Sequence, residues 1–239
     1  MAIELTEAAV AATIDHAILK PDFTQADVDR ELDIAAEWGV FSVCVRPSDI
    51  AYAARRLAGT SVAVGTVIGF PHGTTSMAAK VAELRQARAD GATEFDMVVH
   101  IGALRGGEDE RVVADIREVV AAAEGLVTKV ILETSLLDDE QIARGSRLVE
   151  AGGATFVKTS TGFAGGGATV EHVTLMRESV SSAVQVKASG GVRGLDAAVA
   201  MLEAGATRLG TSASATILGE LRARAAGGAA SGTEDSSSY

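Results

Sequence analysis

A single (β/α)8 barrel over residues 1–224, followed by a flexible C-terminal tail over residues 225–239, is the architecture this sequence predicts. Three observations carry the prediction. The chain has 239 residues, and one α/β barrel of roughly 250 residues is an ordinary outcome at that length. Eight short apolar segments alternate with segments of helical spacing, the pattern of a parallel sheet covered by helices. A turn also recurs between helix and strand: Asp90-Gly91-Ala92-Thr93, Gly152-Gly153-Ala154-Thr155 and Ala204-Gly205-Ala206-Thr207, with a looser copy at Glu37-Trp38-Gly39-Val40. Glycine just past the last helical turn adopts the left-handed conformation, and the next strand starts at once.

In chain order the strands are expected at about 13–19, 41–45, 61–68, 94–99, 126–134, 156–160, 184–189 and 208–212. Between them lie amphipathic stretches. Ala78, Ala79, Val81, Ala82 and Leu84 form one apolar face, with Lys80, Glu83 and Arg85 interleaved as its solvent side; Ala197, Ala198, Val199, Met201 and Leu202 form another. A doubly wound open sheet is the competing architecture. Its dinucleotide fingerprint is missing after the first strand, which runs into LKPDFT. From Ala225 onward, AAGGAASGTEDSSSY has no periodicity and reads as an extension, closed by a lone aromatic, Tyr239.

Composition narrows the function. Apolar residues make up 47%, enough for a sizeable core, and aromatics only 4%, so that core is built from Val, Ile, Leu and Ala. A formal net charge of −11 with no basic run argues against a nucleic-acid or anionic-membrane partner. An anionic substrate would therefore need a local positive site. The single cysteine, Cys44, excludes an intrachain disulfide and CxxC chemistry. No apolar run reaches the ~18 residues of a membrane helix, and MAIELTEAAV lacks the form of a signal peptide. A cytoplasmic protein is expected.

The lysines are the unusual feature. There are sixteen arginines but five lysines, and Lys129, Lys158 and Lys187 fall within expected strands. Charge inside a barrel is costly unless paired or used, and barrel active sites gather at the C-terminal strand ends. Lys158 and Lys187 lie near the ends of neighbouring strands 6 and 7. A free lysine amine has a pKa of ~10.4; burial and a second cation both lower it, and bringing it to ~7 takes about 4–5 kcal/mol. The neutral amine could then attack a carbonyl. Asp96, in EFDMVV, alternates with Glu94 and Val98 and can face the barrel mouth as an acid/base partner. The same spacing equally suits a structural Lys–Asp–Lys network that fills the barrel.

Three glycine-containing loops follow the late strands: 159–163 (TSTGF), 189–194 (SGGVRG) and 210–214 (GTSAS). Backbone N–H groups there can approach an anion, and barrels commonly hold phosphate after strands 7 and 8. Arg193 or Arg208 would add charge. His16, His72 and His100 follow strands singly, without HxH or HExxH spacing, and read as satisfied polar residues rather than metal ligands. Cys44 reads as a small core residue, or as a thiol facing the site. Lys129 and Glu133 share a face by alternation and read as an inward ion pair.

IDHAILKP (14–21), SVCVRPS (42–48), VIGFPHG (67–73), EFDMVV (94–99), KVILETS (129–135), FVKTSTGF (156–163), VKASGGVR (186–193) and RLGTSAS (208–214) together closely resemble the deoxyribose-phosphate aldolases, in order, from about residue 13 to 218. The resemblance implies a class I aldolase on a (β/α)8 barrel, without metal or other cofactor. It would cleave 2-deoxy-D-ribose 5-phosphate reversibly to acetaldehyde and D-glyceraldehyde 3-phosphate. It assigns the Schiff base to Lys158, the perturbing cation to Lys187 and proton transfer to Asp96. Phosphate falls to Gly162, Gly190, Gly191, Val192, Gly210 and Ser212. Tyr239 resembles a C-terminal tyrosine that assists proton transfer in some members. The partners implied are phosphosugar and aldehyde substrates and a second copy in a homodimer. Phe163, Ala213 and Arg46 depart from residues seen in other members and bear on phosphate affinity and acceptor range. Two other readings are a different phosphosugar barrel enzyme, such as an isomerase, and a non-catalytic phosphosugar-binding protein.

Overall fold

The computed structural model describes residues 5–227. The tail beyond Gly227, and with it Tyr239, lies outside the described residues. A short helix, α1 (Glu7–Ala11), leads into eight repeating units: β1 (Ile14–Ile18) and α2 (Gln25–Trp38); β2 (Ser42–Val45) and α3 (Ile50–Arg56); β3 (Ala63–Ile68) and α4 (Met77–Ala89); β4 (Glu94–Val98) with α5 (Ile101–Arg105) and α6 (Asp109–Ala122); β5 (Val127–Ile131) and α7 (Asp139–Ala151); β6 (Phe156–Lys158) and α8 (Val170–Ser179); β7 (Gln185–Ser189) and α9 (Leu195–Glu203); β8 (Arg208–Thr211) and α10 (Ser214–Ala225). All neighbouring strands pair in parallel, and β8 returns to β1 to close the barrel in sequence order. Among the described residues, no helix is long and apolar enough to cross a membrane.

The recurring turn behaves as its chemistry dictates. Gly39, Gly91, Gly153 and Gly205 all have positive φ. In each, two N–H groups reach back to the helix: Gly91 to Arg88 O and Ala92 to Ala87 O, Gly153 to Glu150 O and Ala154 to Val149 O, Gly205 to Leu202 O and Ala206 to Met201 O, Gly39 to Ala36 O and Val40 to Ala35 O. These are the paired bonds of the Schellman motif. The threonine that follows joins the neighbouring strand directly: Thr93 N–H donates to Val64 O, Thr155 to Thr128 O and Thr207 to Val186 O. Helix starts are equally explicit. Thr24 with Asp27 and Asp138 with Gln141 form capping boxes, while Ser76 and Thr169 cap α4 and α8.

Strand alternation divides the core in two. Outward residues such as Ile14, Val43, Phe95, Val130, Val157 and Leu209 pack under the helices. Inside the barrel the apolar part is small: Ala17, Leu19, Cys44 and Val67, with Phe70 against them. Every strand is slightly shorter than expected, and two of them, β5 and β6, stop two or three residues early at their C-terminal ends. β5 ends at Ile131 because Glu133 turns into the left-handed region at φ 61. β6 ends at Lys158, and beyond it side-chain bonds take over: Thr159 Oγ donates to Ser189 O and Ser189 Oγ donates to Ser160 O.

Lys80 is a correction. Rather than facing solvent, it is fully buried, with Nζ donating to Val98 O at 2.9 Å and pairing with Asp115 at 2.5 Å. It ties α4 to the end of β4 and to α6. Its stem lies against Gly69, where a Cβ would come within 2.9 Å of Lys80 Cε.

Candidate active site

Apart from Phe156, whose ring lies against Lys129 and Arg208, much of the rest of the barrel interior is an ion network. Alternation turns Asp15, Glu94, Asp96, Lys129, Lys158, Lys187 and Arg208 inward, and all seven are buried. Register sets their heights: Lys158 stands opposite Lys187, and Asp96 opposite Lys129. Asp96 is the hub. Its Oδ2 accepts from Lys158 Nζ at 2.8 Å and from Lys187 Nζ at 2.7 Å, and its Oδ1 from Lys129 Nζ at 2.9 Å. Lys187 also pairs with Asp15 at 2.5 Å, and Lys129 with Glu94 at 2.7 Å. Arg208 closes the ring, donating to Asp15 at 2.7 Å and to Glu94 at 3.3 Å, while Ser42 donates to Asp15 at 2.7 Å. Gly210 is what lets Lys187 through: a Cβ there would meet Ser189 Cβ at 2.7 Å and Lys187 Cε at 3.1 Å.

The electrostatics separate the two lysines of the expected pair. Burial lowers the Lys158 pKa; Asp96 opposes that, and the Lys187 charge adds to it, leaving Lys158 below the ordinary lysine value. Burial pulls on Lys187 too, but Asp15 and Asp96 outweigh it and hold it charged, well above its ordinary value. Burial alone would raise the Asp96 carboxyl; Lys129, Lys158 and Lys187 together keep it well below the usual carboxylate range. With Lys158 neutral, Lys129, Lys187 and Arg208 match Asp15, Glu94 and Asp96 one for one. The amine that can lose its proton is therefore the one whose proton the network does not need.

Above the lysines, the loops after β6, β7 and β8 enclose a cleft of about 410 Å³. Gly162, Gly190, Gly191, Val192, Gly210 and Ser212 all line it, with Phe163 and Arg193 at its sides. Gly162, Gly190 and Gly191 have positive φ, and Gly190 lies against Gly167, whose own Cβ would strike Gly190 O at 2.4 Å. The rim carries an aromatic edge: Phe70 and Phe163 stack edge-to-face, centroids 5.3 Å apart.

Arg208, the Lys129–Glu133 pair and Arg46 resolve differently from expectation, whereas the histidines and Cys44 follow it. Arg208 adds no charge to the cleft; it lies at the opposite end of β8, bonded to Asp15 and Glu94 with its guanidinium over the Phe41 ring at 3.5 Å. Lys129 and Glu133 do not pair. Glu133 lies beyond the end of β5 and its carboxylate accepts from Thr161 instead. Arg46 is committed to the β1–α2 loop, donating to Lys20 O and Phe23 O at 3.1 Å and to Asp49 at 2.6 Å. His16 is outside the barrel, bonded to Ser214 and Glu31, and His100 caps α5. Among the described residues no group of three or more His, Cys, Asp or Glu is placed to hold a metal ion. Cys44 is buried within the barrel, where burial and then Asp96 push its thiol up to about 11. It is a protonated filler at neutral pH.

Sequence reasoning missed Asp15 and Glu94 as members of the network. The signal was available: both sit in step with inward residues of their strands, but their partners come from strands that meet only when the barrel closes.

The family model of the DeoC/LacD family aldolases matches residues 9–234. Deoxyribose-phosphate aldolase 1 of Staphylococcus aureus (strain MRSA252) is 53% identical over 210 residues, which are 88% of this chain and 96% of the relative. The deoxyribose-phosphate aldolase of Staphylococcus haemolyticus is 52% identical, over 87% of this chain and 94% of the relative. The tetrameric deoxyribose phosphate aldolase of Aeropyrum pernix superposes with a TM-score of 0.86 at 30% identity, covering 93% of this chain and 94% of that one.

Proposed function

This chain belongs to the DeoC/LacD aldolase family, and on that premise we propose that it cleaves 2-deoxy-D-ribose 5-phosphate reversibly to acetaldehyde and D-glyceraldehyde 3-phosphate through an imine on Lys158. The observation that carries the mechanism is Asp96 Oδ2 shared between the nitrogens of Lys158 and Lys187. It brings an ammonium that Asp15 and Asp96 hold charged beside an amine that burial has already weakened as a base.

In the cleavage direction, neutral Lys158 adds to the C1 carbonyl of the open-chain sugar phosphate. The carbinolamine loses water to give an iminium. That nitrogen carries a positive charge while it stays protonated, and the Asp96 carboxylate at 2.8 Å favours the protonated form. A proton leaves the C3 hydroxyl, the C2–C3 bond breaks, and its electron pair flows into the iminium, forming an enamine and releasing glyceraldehyde 3-phosphate. Protonation of the enamine carbon and hydrolysis free acetaldehyde and Lys158. Asp96 is a weak base while three ammoniums surround it and a stronger one when Lys158 is neutral, which suits proton transfer through a water molecule. Tyr239 is proposed to assist protonation of the enamine carbon.

The six cleft residues are proposed to hold the phosphate, whose remote binding energy anchors the reacting end. We place residues 1–224 in one catalytic domain and 225–239 in a tail, with the protein acting in the cytoplasm as a homodimer. Light scattering distinguishes a dimer from the tetrameric state of the Aeropyrum pernix relative.

Borohydride reduction in the presence of deoxyribose 5-phosphate tests the mechanism. Peptide mass spectrometry should find the two-carbon or sugar phosphate adduct on Lys158. An adduct confined to Lys187, or none in an enzyme that turns over, overturns the assignment. Trapping also separates this reading from a phosphosugar isomerase or a binding protein, neither of which forms an imine.

A further inference from the structure

Glu133 is a buried carboxylate that the reaction scheme leaves unused. It is 1% exposed, and its backbone has φ 61, a left-handed conformation unusual for a residue with a side chain. That twist turns the side chain from β5 toward the loop after β6. Both carboxylate oxygens accept from the Thr161 N–H at 3.3 Å, and the Thr161 hydroxyl donates to Oε2 in a short hydrogen bond. Thr161 Oγ in turn accepts from the Phe163 N–H at 3.0 Å, closing a turn around Gly162. On its other side the same segment is fastened to β7: Ser189 Oγ donates to Ser160 O at 2.7 Å, and Thr159 and Ser189 exchange bonds at 3.0 Å. The stretch from Lys158 to Phe163 is thus held between Ser189 and Glu133.

We propose that Glu133 is a positioning residue for the phosphate end of the substrate: through Thr161 it sets the 161–163 turn, and with it Gly162, at the wall of the cleft. The inference rests on the cleft's reading as a phosphate site. Burying a carboxylate is costly unless its oxygens are bonded, and here the donors it uses are those of the loop. Burial pushes its carboxyl up while the Thr161 bonds and the Lys158 charge pull it down. A carboxylate suits the position because both oxygens accept; an amide would turn an N–H2 toward a donor.

The test compares 2-deoxyribose 5-phosphate with unphosphorylated 2-deoxyribose, using the full-length enzyme and the variants Glu133→Gln, Thr161→Val and Thr161→Ser. For Glu133→Gln and Thr161→Val, kcat/KM on the phosphorylated sugar should fall about tenfold, chiefly through KM, while that on deoxyribose stays within about twofold. Thr161→Ser keeps the hydroxyl and should stay near wild type on both. In the Thr161 variants, which carry no charge change, the acid limb of the pH–rate profile should not move. Equal losses on the two sugars, an acid limb displaced in Thr161→Val, no loss, or a loss in Thr161→Val with none in Glu133→Gln each overturn the proposal. If Glu133→Gln does not fold, the Thr161 pair decides alone. A wild-type enzyme with no preference for the phosphorylated sugar sinks the cleft reading itself; a wild-type preference that the variants retain sinks only the role of Glu133.

Discussion

Replacing Lys187 by leucine removes one cation of the pair at nearly constant volume. In the intact enzyme both nitrogens bond Asp96 Oδ2, at 2.8 and 2.7 Å. Two such bonds place them about 5 Å apart, and with an effective dielectric constant of ~20 the repulsion between two ammoniums is ~3 kcal/mol, or ~2 pH units in the Lys158 pKa. A second effect has the same sign: Asp96, relieved of Lys187, holds the Lys158 proton more tightly. Asp15 keeps Arg208 and Ser42, so it is not left without partners. Only the neutral amine attacks, so activity rises with pH through the Lys158 pKa. Raising that pKa carries the acid limb of kcat/KM upward. At a pH below both limbs the loss should approach ~100-fold, shrinking toward alkaline pH. The assay is a pH profile of deoxyribose 5-phosphate cleavage from about pH 5 to 10, with borohydride trapping at each end. An acid limb that stays in place, or moves down, refutes the electrostatic account.

Lys80→Met strands Asp115 in the interior and should lower stability by ~3–5 kcal/mol, read as the urea midpoint, while Lys80→Met with Asp115→Leu should recover most of the loss; a single change costing under about 1 kcal/mol contradicts the pairing. Deleting Tyr239 should slow solvent proton exchange at the acetaldehyde methyl group, followed by NMR, and full exchange without that residue removes it from the mechanism.

Local chemistry was legible because it is local. The Gly-Ala-Thr turn marks where a helix stops and a strand begins, and lysines inside apolar strands announce an interior purpose. What resisted reading depends on residues far apart in the chain. Lys80 sits among helical neighbours as a surface lysine would, and only the approach of Asp115 and Val98 makes it a core residue. Arg208 looks like a candidate for anion binding until the closure of β8 on β1 brings Asp15 beside it. Lys129 and Glu133 keep a common face only if the strand continues, and the left-handed residue at 133 breaks that alternation. Strand position alone singled out Lys158 and Lys187 as a pair with Asp96 as acid/base partner; which lysine carries the imine came from the resemblance, and the geometry supplies a physical reason for it.

The helix-to-strand joints at Gly91, Gly153 and Gly205 are made without a spare residue. One extra residue between Gly152 and Thr155 would advance the next strand by a single step, and a single step swaps inside for outside. Lys158 would then point at the helices, and no repacking there could return it to Asp96. Those three joints on the underside of the barrel are therefore a fixed gauge, intolerant of a one-residue change in length. The opposite rim has no such constraint: the eleven-residue span from Thr159 to Thr169, between β6 and α8, can grow or shrink without turning one charged side chain. Lineages of this architecture should keep the length of those joints, vary in loop length on that rim, and adapt there to aldehydes of different size.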